Sequence, residues 1–275
     1  MCRHVAYLGP SKTLRELLLD PPHGLYRQSW APRRQRHGTV NADGFGVGWY
    51  ADGDPVPARY RRDIPIWNDP SLSDVARVTR SGAALAAVRS ATPGTAHGEA
   101  AAAPFGAGTW LFSHNGVLRD WRDWRPPSVA APQENNGDGP PGLPPVDLTS
   151  LEALTDSALL WALVLRRLRA GASAGVALAA VIAEVEAAGG TGRFNFLLTD
   201  GRSVAATAAG DTLCYRRADG GVTVASEPSD DGPGWADVPD RHLLTAGPGG
   251  VTVRSLADVT PAEPRRDQYE HHPAH

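Results

Sequence analysis

Lysine is almost missing from this 275-residue chain: of 27 basic residues only Lys12 is lysine, and the rest are arginine. An arginine excess can mark recognition of carboxylates or phosphates. Here it is spread over the whole chain, among abundant alanine, 30 glycines and 24 prolines, so it carries no functional weight. Cysteine is scarce too, and Cys2 and Cys214 alone exclude a disulfide framework and a structural zinc site. A net charge of -3 leaves no surplus of basic residues for broad nucleic-acid or membrane-surface binding. No apolar run approaches the roughly 20 residues of a membrane-spanning helix, and Met1-Cys2-Arg3-His4 lacks the apolar stretch of a secretory signal. These absences predict a soluble, cytoplasmic globular protein, long enough to bury a sizeable core.

What is present divides into strands, then helices, then strands. Cys2–Leu8 reads as an opening strand and Thr13–Leu19 as a short amphipathic helix. Phe45–Tyr50 reads as a strand whose glycines admit another backbone or a ligand. Leu85–Thr92 and Trp110–His114 are short apolar runs that end in polar residues. A Pro-, Gly- and Asn-rich stretch near 126–147 has no periodicity and is expected to be a flexible surface insertion. Leu151–Arg169 carries apolar residues at helical spacing and ends in arginines, and Ala174–Ala188 is an Ala-rich helix stopped by Gly189-Gly190. Hairpin-like strands follow: Arg193–Leu198, Ser203–Ala208, Leu213–Arg217, Val222–Ser226, His242–Ala246 and Val251–Val253. With no internal repeat, this order predicts a single α+β domain over residues 2–260, with 261–275 as a disordered tail.

Cys2 is the position most open to chemistry. Removal of the initiator Met would put a thiol and a free α-amine on one residue. An α-amine titrates near about pH 8, so part of it is neutral at pH 7 and can serve as the base for its own thiol. Taken alone, Cys2 is equally a small apolar residue starting a strand. Arg89, at the end of an apolar run, reads as a surface ion pair or a carboxylate contact. Phe112-Ser113-His114-Asn115-Gly116 sets a side-chain amide beside a backbone N–H, the two donors of an oxyanion hole, though Asn-Gly is also a common tight turn. Asp156, at the head of the first long helix, reads as a cap or a ligand.

Taken in this order, these segments resemble the class II glutamine amidotransferase domain of the N-terminal-nucleophile hydrolases. The resemblance spans about Cys2 to Ser226, excluding the Pro-rich insertion. Met1–Pro10, Leu17–His23, Gln28–Pro32, Asn41–Tyr50 and Arg193–Gly201 bring it nearest to the ergothioneine-biosynthesis branch. That branch is understood to remove glutamate from γ-glutamyl-hercynylcysteine S-oxide. The resemblance implies two antiparallel sheets face to face with helices outside, a four-layer αββα sandwich. It implies Cys2 as the nucleophile that forms an acyl-enzyme and Asn115 with Gly116 as the oxyanion hole. Arg89 is then the partner of the substrate α-carboxylate and Asp156 that of its α-ammonium. It implies no metal or cofactor and a small-molecule γ-glutamyl substrate, with no nucleic-acid or membrane partner, and leaves the oligomeric state open.

Two positions depart from the wider family pattern. Ser90 follows the arginine where ammonia-channelling relatives often carry Trp, and Ala103-Pro104 stands where many have His-Pro. Both fit a leaving group larger than ammonia. That group carries a trimethylammonium and an imidazole, for which Trp30, Trp49 and Trp67 are candidate aromatic faces. A glutaminase passing ammonia to a separate synthase is the alternative activity. A non-catalytic protein that kept the fold would be expected to lose Cys2, Asn115 or Arg89, and all three are present. Metal binding by His271, His272 and His275 has no fixed geometry behind it.

Overall fold

Residues 83–88, Ala-Ala-Leu-Ala-Ala-Val, are apolar at every position, as a strand can be only where both its faces are covered. A computed structural model, describing residues 2–91, 95–124 and 151–259, places them deep in a seven-stranded sheet. Its order is β11 (Trp235–Asp237), β9 (Cys214–Ala218), β10 (Gly221–Ala225), β1 (Arg3–Thr13), β4 (Arg80–Val88), β2 (Phe45–Trp49) and β3 (Ala58–Arg62). A second sheet of six strands runs β13 (Gly250–Ser255), β12 (His242–Gly247), β8 (Val204–Ala208), β7 (Gly192–Thr199), β6 (Trp110–Leu118) and β5 (Phe105–Ala107). Every pairing is antiparallel.

Three apolar layers hold this together. Between the sheets Ala6 and Leu85 of the first meet Leu111, Leu197 and Ala206 of the second. Over the outer face of the first sheet lie α1 (Leu14–Leu18), α2 (Leu25–Gln28) and α3 (Leu72–Val78), through Leu14, Leu18, Leu25 and Leu72. Over the second lie α4 (Asp156–Arg169) and α5 (Ala174–Ala187), where Trp161 stacks on Phe112 at 5.3 Å. The result is the expected four-layer αββα sandwich.

The glycines of β2 admit the other sheet. A Cβ at Gly46 would run into the Ala103 carbonyl, and one at Gly48 would stand 2.6 Å from the Leu111 side chain. Of the two readings left open for this strand, backbone approach is the one realised.

Several boundaries move, for identifiable reasons. The first long helix begins at Asp156 rather than Leu151, because Thr155 caps it by accepting the Ala158 N–H at 3.1 Å. The strand ending in His114 instead runs on to Leu118, with Asn115 opposite Asn195 and Gly116 opposite Phe194. The Asn-Gly pair is therefore in a strand and not in a turn. β4 starts at Arg80 and ends at Val88, and β1 continues to Thr13, where a Thr13–Glu16 capping box starts α1. Five short elements had no sequence reading: α2, α3, β3, β5 and β11. The stretch near 126–147, Thr92, the 261–275 tail and its histidines lie outside the described residues. Among the described residues no helix is long and apolar enough to cross a membrane.

Candidate active site

β1 carries the nucleophile candidate into the middle of the first sheet. Arg3 pairs with Val88, so Cys2 and Arg89 are the next residues out on two neighbouring strands. Cys2 is a free thiol, half-buried. Arg89 is buried, and its backbone is fixed by two bonds, its own N–H to Gly44 O at 2.8 Å and the Asp43 N–H to its carbonyl at 2.9 Å. The guanidinium donates to Asp43 O at 3.3 Å, to Thr95 Oγ1 at 3.2 Å and to Ala96 O at 2.8 Å. The Nε N–H and one Nη1 N–H have no protein partner among the described residues.

Asn115 and Gly116 arrive from the second sheet on β6. The Asn115 amide is wholly buried; its Nδ2 donates to Ser226 Oγ at 3.4 Å, and its Oδ1 has no partner among the described residues. Ser226 also ties back to the nucleophile strand. Its Oγ accepts the His4 N–H at 3.0 Å, and its own N–H donates to His4 O at 3.0 Å. One hydroxyl thus joins the backbone two residues from Cys2 to the Asn115 amide. Position 116 has room for glycine alone: a Cβ there would run into the Arg193 carbonyl and stand 2.5 Å from His114 Nε2.

Asp156 is buried at the first turn of α4, where the helix dipole favours a carboxylate. Its Oδ2 accepts the Leu118 N–H at 2.9 Å and its Oδ1 the Ser157 N–H at 2.8 Å. The cap proper is Thr155. Asp156 is linked to Arg89 through the intervening segment, because Ala96 accepts from Arg89 and donates its N–H to Leu154 O at 3.3 Å. The neighbouring Ser157 hydroxyl bonds His114 Nδ1 at 3.0 Å, while His114 Nε2 bonds Arg193 O at 2.9 Å. Burial pushes the His114 pKa down, with Asp156 opposing, and burial next to Arg3 and His114 pushes that of His4 well down. Both rings are neutral at pH 7.

Of the five residues singled out from the sequence, Arg89 stands beside Cys2 by strand register and Asn115 is joined to β1 through Ser226, with Gly116 next along β6, whereas Asp156 is tied to the end of β6 at Leu118. The three tryptophans do not stay together. Trp30 meets Trp67 edge-on at 5.7 Å and Tyr26 at 4.9 Å, with the Arg27 guanidinium 5.2 Å from its ring centre. Trp49 lies four residues along β2 from the end that pairs with Val88 and packs in the outer layer. Ala103 packs beneath Gly46 of β2.

Sequence reasoning missed Ser226 and the buried Arg3. The Arg3 guanidinium donates to Gln35 Oε1 at 3.2 Å and Thr212 Oγ1 at 3.5 Å, and Gln35 in turn accepts from Asn41 at 3.0 Å. Glu227, 1% exposed, accepts the N–H groups of Arg33 and Arg34 at 2.9 and 2.7 Å. Together they hold the 29–41 loop against the nucleophile strand. The only local signal was the polar end of the Val222–Ser226 run.

The chain is similar to proteins of one family in sequence and in fold. Residues 25–220 match the family model described as glutamine amidotransferases class-II. The γ-glutamyl-hercynylcysteine sulfoxide hydrolase of Mycolicibacterium smegmatis is 44% identical over 93% of this chain and 100% of its own length. The protein of the same name from Mycobacterium tuberculosis is 43% identical over 93% and 97%. Among solved structures, a glutamine aminotransferase class-II domain protein from Silicibacter pomeroyi superposes with a TM-score of 0.61 at 27% identity, over 93% of this chain and 99% of that one. Glutamine phosphoribosylpyrophosphate amidotransferase from B. subtilis shares the fold, with a TM-score of 0.61 at 15% identity over 93% and 49%.

Proposed function

The chain belongs to the class II glutamine amidotransferases, and from that premise we propose that it hydrolyses γ-glutamyl-hercynylcysteine sulfoxide to glutamate and hercynylcysteine sulfoxide. The observation that carries this reading is the 44% identity to the mycobacterial hydrolase along that enzyme's entire length. It is supported by the placing of Arg89 beside Cys2 and by the Ser226 hydroxyl that joins Asn115 to the strand of Cys2.

Removal of Met1 frees the Cys2 α-amine. The amine takes the thiol proton as Sγ attacks the γ-carbonyl carbon and an S–C bond forms. The Asn115 amide and the Gly116 N–H receive the oxyanion, typically worth about 3 kcal/mol per donor. The protonated amine passes its proton to the departing nitrogen as the C–N bond breaks, leaving a thioester. Water then attacks that thioester with the amine again as base, and glutamate leaves as the thiol is restored. Arg89 and Asp156 pair with the α-carboxylate and α-ammonium. A ligand lacking either charge leaves its partner unpaired, which is the physical source of γ-glutamyl selectivity.

The test is glutamate release from the sulfoxide and from glutamine in parallel, with intact mass on the same sample. Turnover of the sulfoxide, little of glutamine, a mass lacking Met1, and loss of turnover in Cys2→Ala are the expected results. Preference for glutamine would make the protein an ammonia donor instead.

A further inference from the structure

A strand presents alternate residues to opposite faces of its sheet. In β1 Ala6 packs between the sheets and Val5 on the outer face, so Cys2 and His4 share the inner face with Ala6. On β6 Leu111 packs in the same inner layer, which sets Ser113 and Asn115 on that face too. The buried His4 ring reaches across to β6, its Nδ1 3.2 Å from Ser113 Oγ. The His4 backbone N–H and Asn115 Nδ2 both donate to the Ser226 hydroxyl oxygen. His4 therefore bonds both the residue two before Asn115 and the hydroxyl that holds the Asn115 amide.

His4 Nε2 and Asn115 Oδ1 are buried and have no partner among the described residues. The two atoms are complementary. An amide oxygen only accepts, and a neutral imidazole whose Nδ1 accepts a hydroxyl proton carries its own hydrogen on Nε2. Burial, with Arg3 and His114 adding to it, holds the His4 pKa well down and the ring neutral at pH 7. Ser113 Oγ bonds nothing else among the described residues, so its hydrogen is available to Nδ1. Asn195, opposite Asn115 on β7, has no donor to offer. Its Nδ2 is spent on the Asp211 and Thr212 carbonyls at 2.9 and 3.3 Å, and its Oδ1 accepts the Ala209 and Asp211 N–H groups at 2.9 and 3.1 Å.

We infer that His4 is a positioning residue for Asn115: its Nε2–H takes the amide oxygen as Nδ2 turns toward the oxyanion, and so fixes which end of the amide faces the reacting carbon. This rests on the hydrolase reading above. An amide turned the other way would offer its oxygen to a developing negative charge, a repulsion where an attraction is needed. His4 therefore acts on kcat through Asn115 and leaves KM to the groups that hold the glutamyl end.

The experiment replaces the ring in three ways and measures glutamate release from γ-glutamyl-hercynylcysteine sulfoxide and from glutamine. His4→Phe keeps the ring shape without a polar atom, His4→Gln sets an amide nitrogen near the place of Nε2, and His4→Asn sets one near that of Nδ1. His4→Phe should lower kcat about tenfold, part of the 10²–10³ that a lost oxyanion donor costs, with KM within about twofold. His4→Gln should recover most of kcat and His4→Asn little of it, a comparison that stands even if His4→Phe folds poorly. In an Asn115→Ala background His4→Phe should cost nothing further, because residues that act through one another are not additive. Recovery by His4→Asn equal to or above that by His4→Gln overturns the inference, since it puts the effect in the Ser113 bond. Wild-type kcat in His4→Phe, or a tenfold loss that persists beside Asn115→Ala, overturns it as well. A wild type inactive on both substrates overturns the hydrolase reading, and this role of His4 with it.

Discussion

Ser226→Ala removes a single oxygen that serves both sheets. Ser226, His4 and Asn115 are each 0% exposed, so no water replaces the lost acceptor. The His4 N–H, now 3.0 Å from Ser226 Oγ, is left buried and unpaired, and so is the Asn115 Nδ2 donor at 3.4 Å. A buried donor left without a partner costs about 1–3 kcal/mol, and the longer bond belongs at the low end. The sum is roughly 2–4 kcal/mol, which for a chain of this size corresponds to a fall in Tm of about 5–15 °C. Kinetics should separate from stability. Deleting an oxyanion donor costs about 10²–10³ in rate, and freeing Asn115 to rotate should cost part of that, about tenfold in kcat. KM should move little, because Arg89 and Asp156 do not touch Ser226. Thermal unfolding and steady-state glutamate release on the folded variant read the two effects, and Ser226→Thr, which keeps the hydroxyl, should recover most of kcat. A Ser226→Ala protein with Tm within about 2 °C of wild type and unchanged kcat would refute the assignment of Ser226 as the staple.

Other consequences are equally direct. Glu184 bridges α4 and α5, accepting from Arg166 at 2.8 Å and Arg167 at 2.6 Å. Burial raises its pKa, but the bonds from the two arginines outweigh that and hold it below the usual 4.5. Its contribution to stability is therefore full above about pH 4.5 and is lost as pH falls through the lowered value. Glu184→Gln should destabilise by about 3 kcal/mol at pH 7 and flatten the acid limb of the urea midpoint against pH. A variant as stable as wild type would count against the pair. His4 and His114 are buried with lowered pKa values. The unfolded chain takes up their protons below about pH 6.5 while the folded one resists, so stability should fall by up to about 1.4 kcal/mol per pH unit for each ring. A flat stability profile from pH 7 to 5.5 would contradict this. Burial pushes the Cys214 thiol up to about 12, so alkylation of the folded protein at pH 7.5 should modify Cys2 and spare Cys214, and labelling of Cys214 ahead of unfolding would contradict its placement.

The elements that could be read from the sequence are those whose pattern is local. α5 was legible to within a residue because Gly189, at φ 75°, marks its end. The hairpin at Asp219-Gly220 was legible because both residues adopt positive φ, the geometry that turn chemistry favours. β5 and β11, three residues each, exist only because a neighbouring strand supplies their partners. Asn115-Gly116 shows the same limit within the site. Its two donors were visible, but Asn-Gly also encodes a turn, and only pairing with Asn195 and Phe194 of β7, far along the chain, keeps it in a strand. Arg3 and Ser226 were silent for the same reason. Arg3 reaches a partner 209 residues away, and Ser226 one 222 residues away, and no local pattern reports either.

The position of β1 explains why the candidate chemistry gathers where it does. A nucleophile on an edge strand would have one neighbouring strand, and its other side would face solvent. Between β4 and β10 Cys2 has a chain on each side, and their ends differ in character. β4 leads straight into Arg89, a buried cation. β10 runs on into Ser226 and Glu227, whose side-chain oxygens accept the His4 N–H and the backbone N–H groups of Arg33 and Arg34. From the second sheet the Asn115 amide donates to the same Ser226 hydroxyl. The backbone next to Cys2 is thus held from both neighbouring strands and from the facing sheet, which an edge strand could not offer.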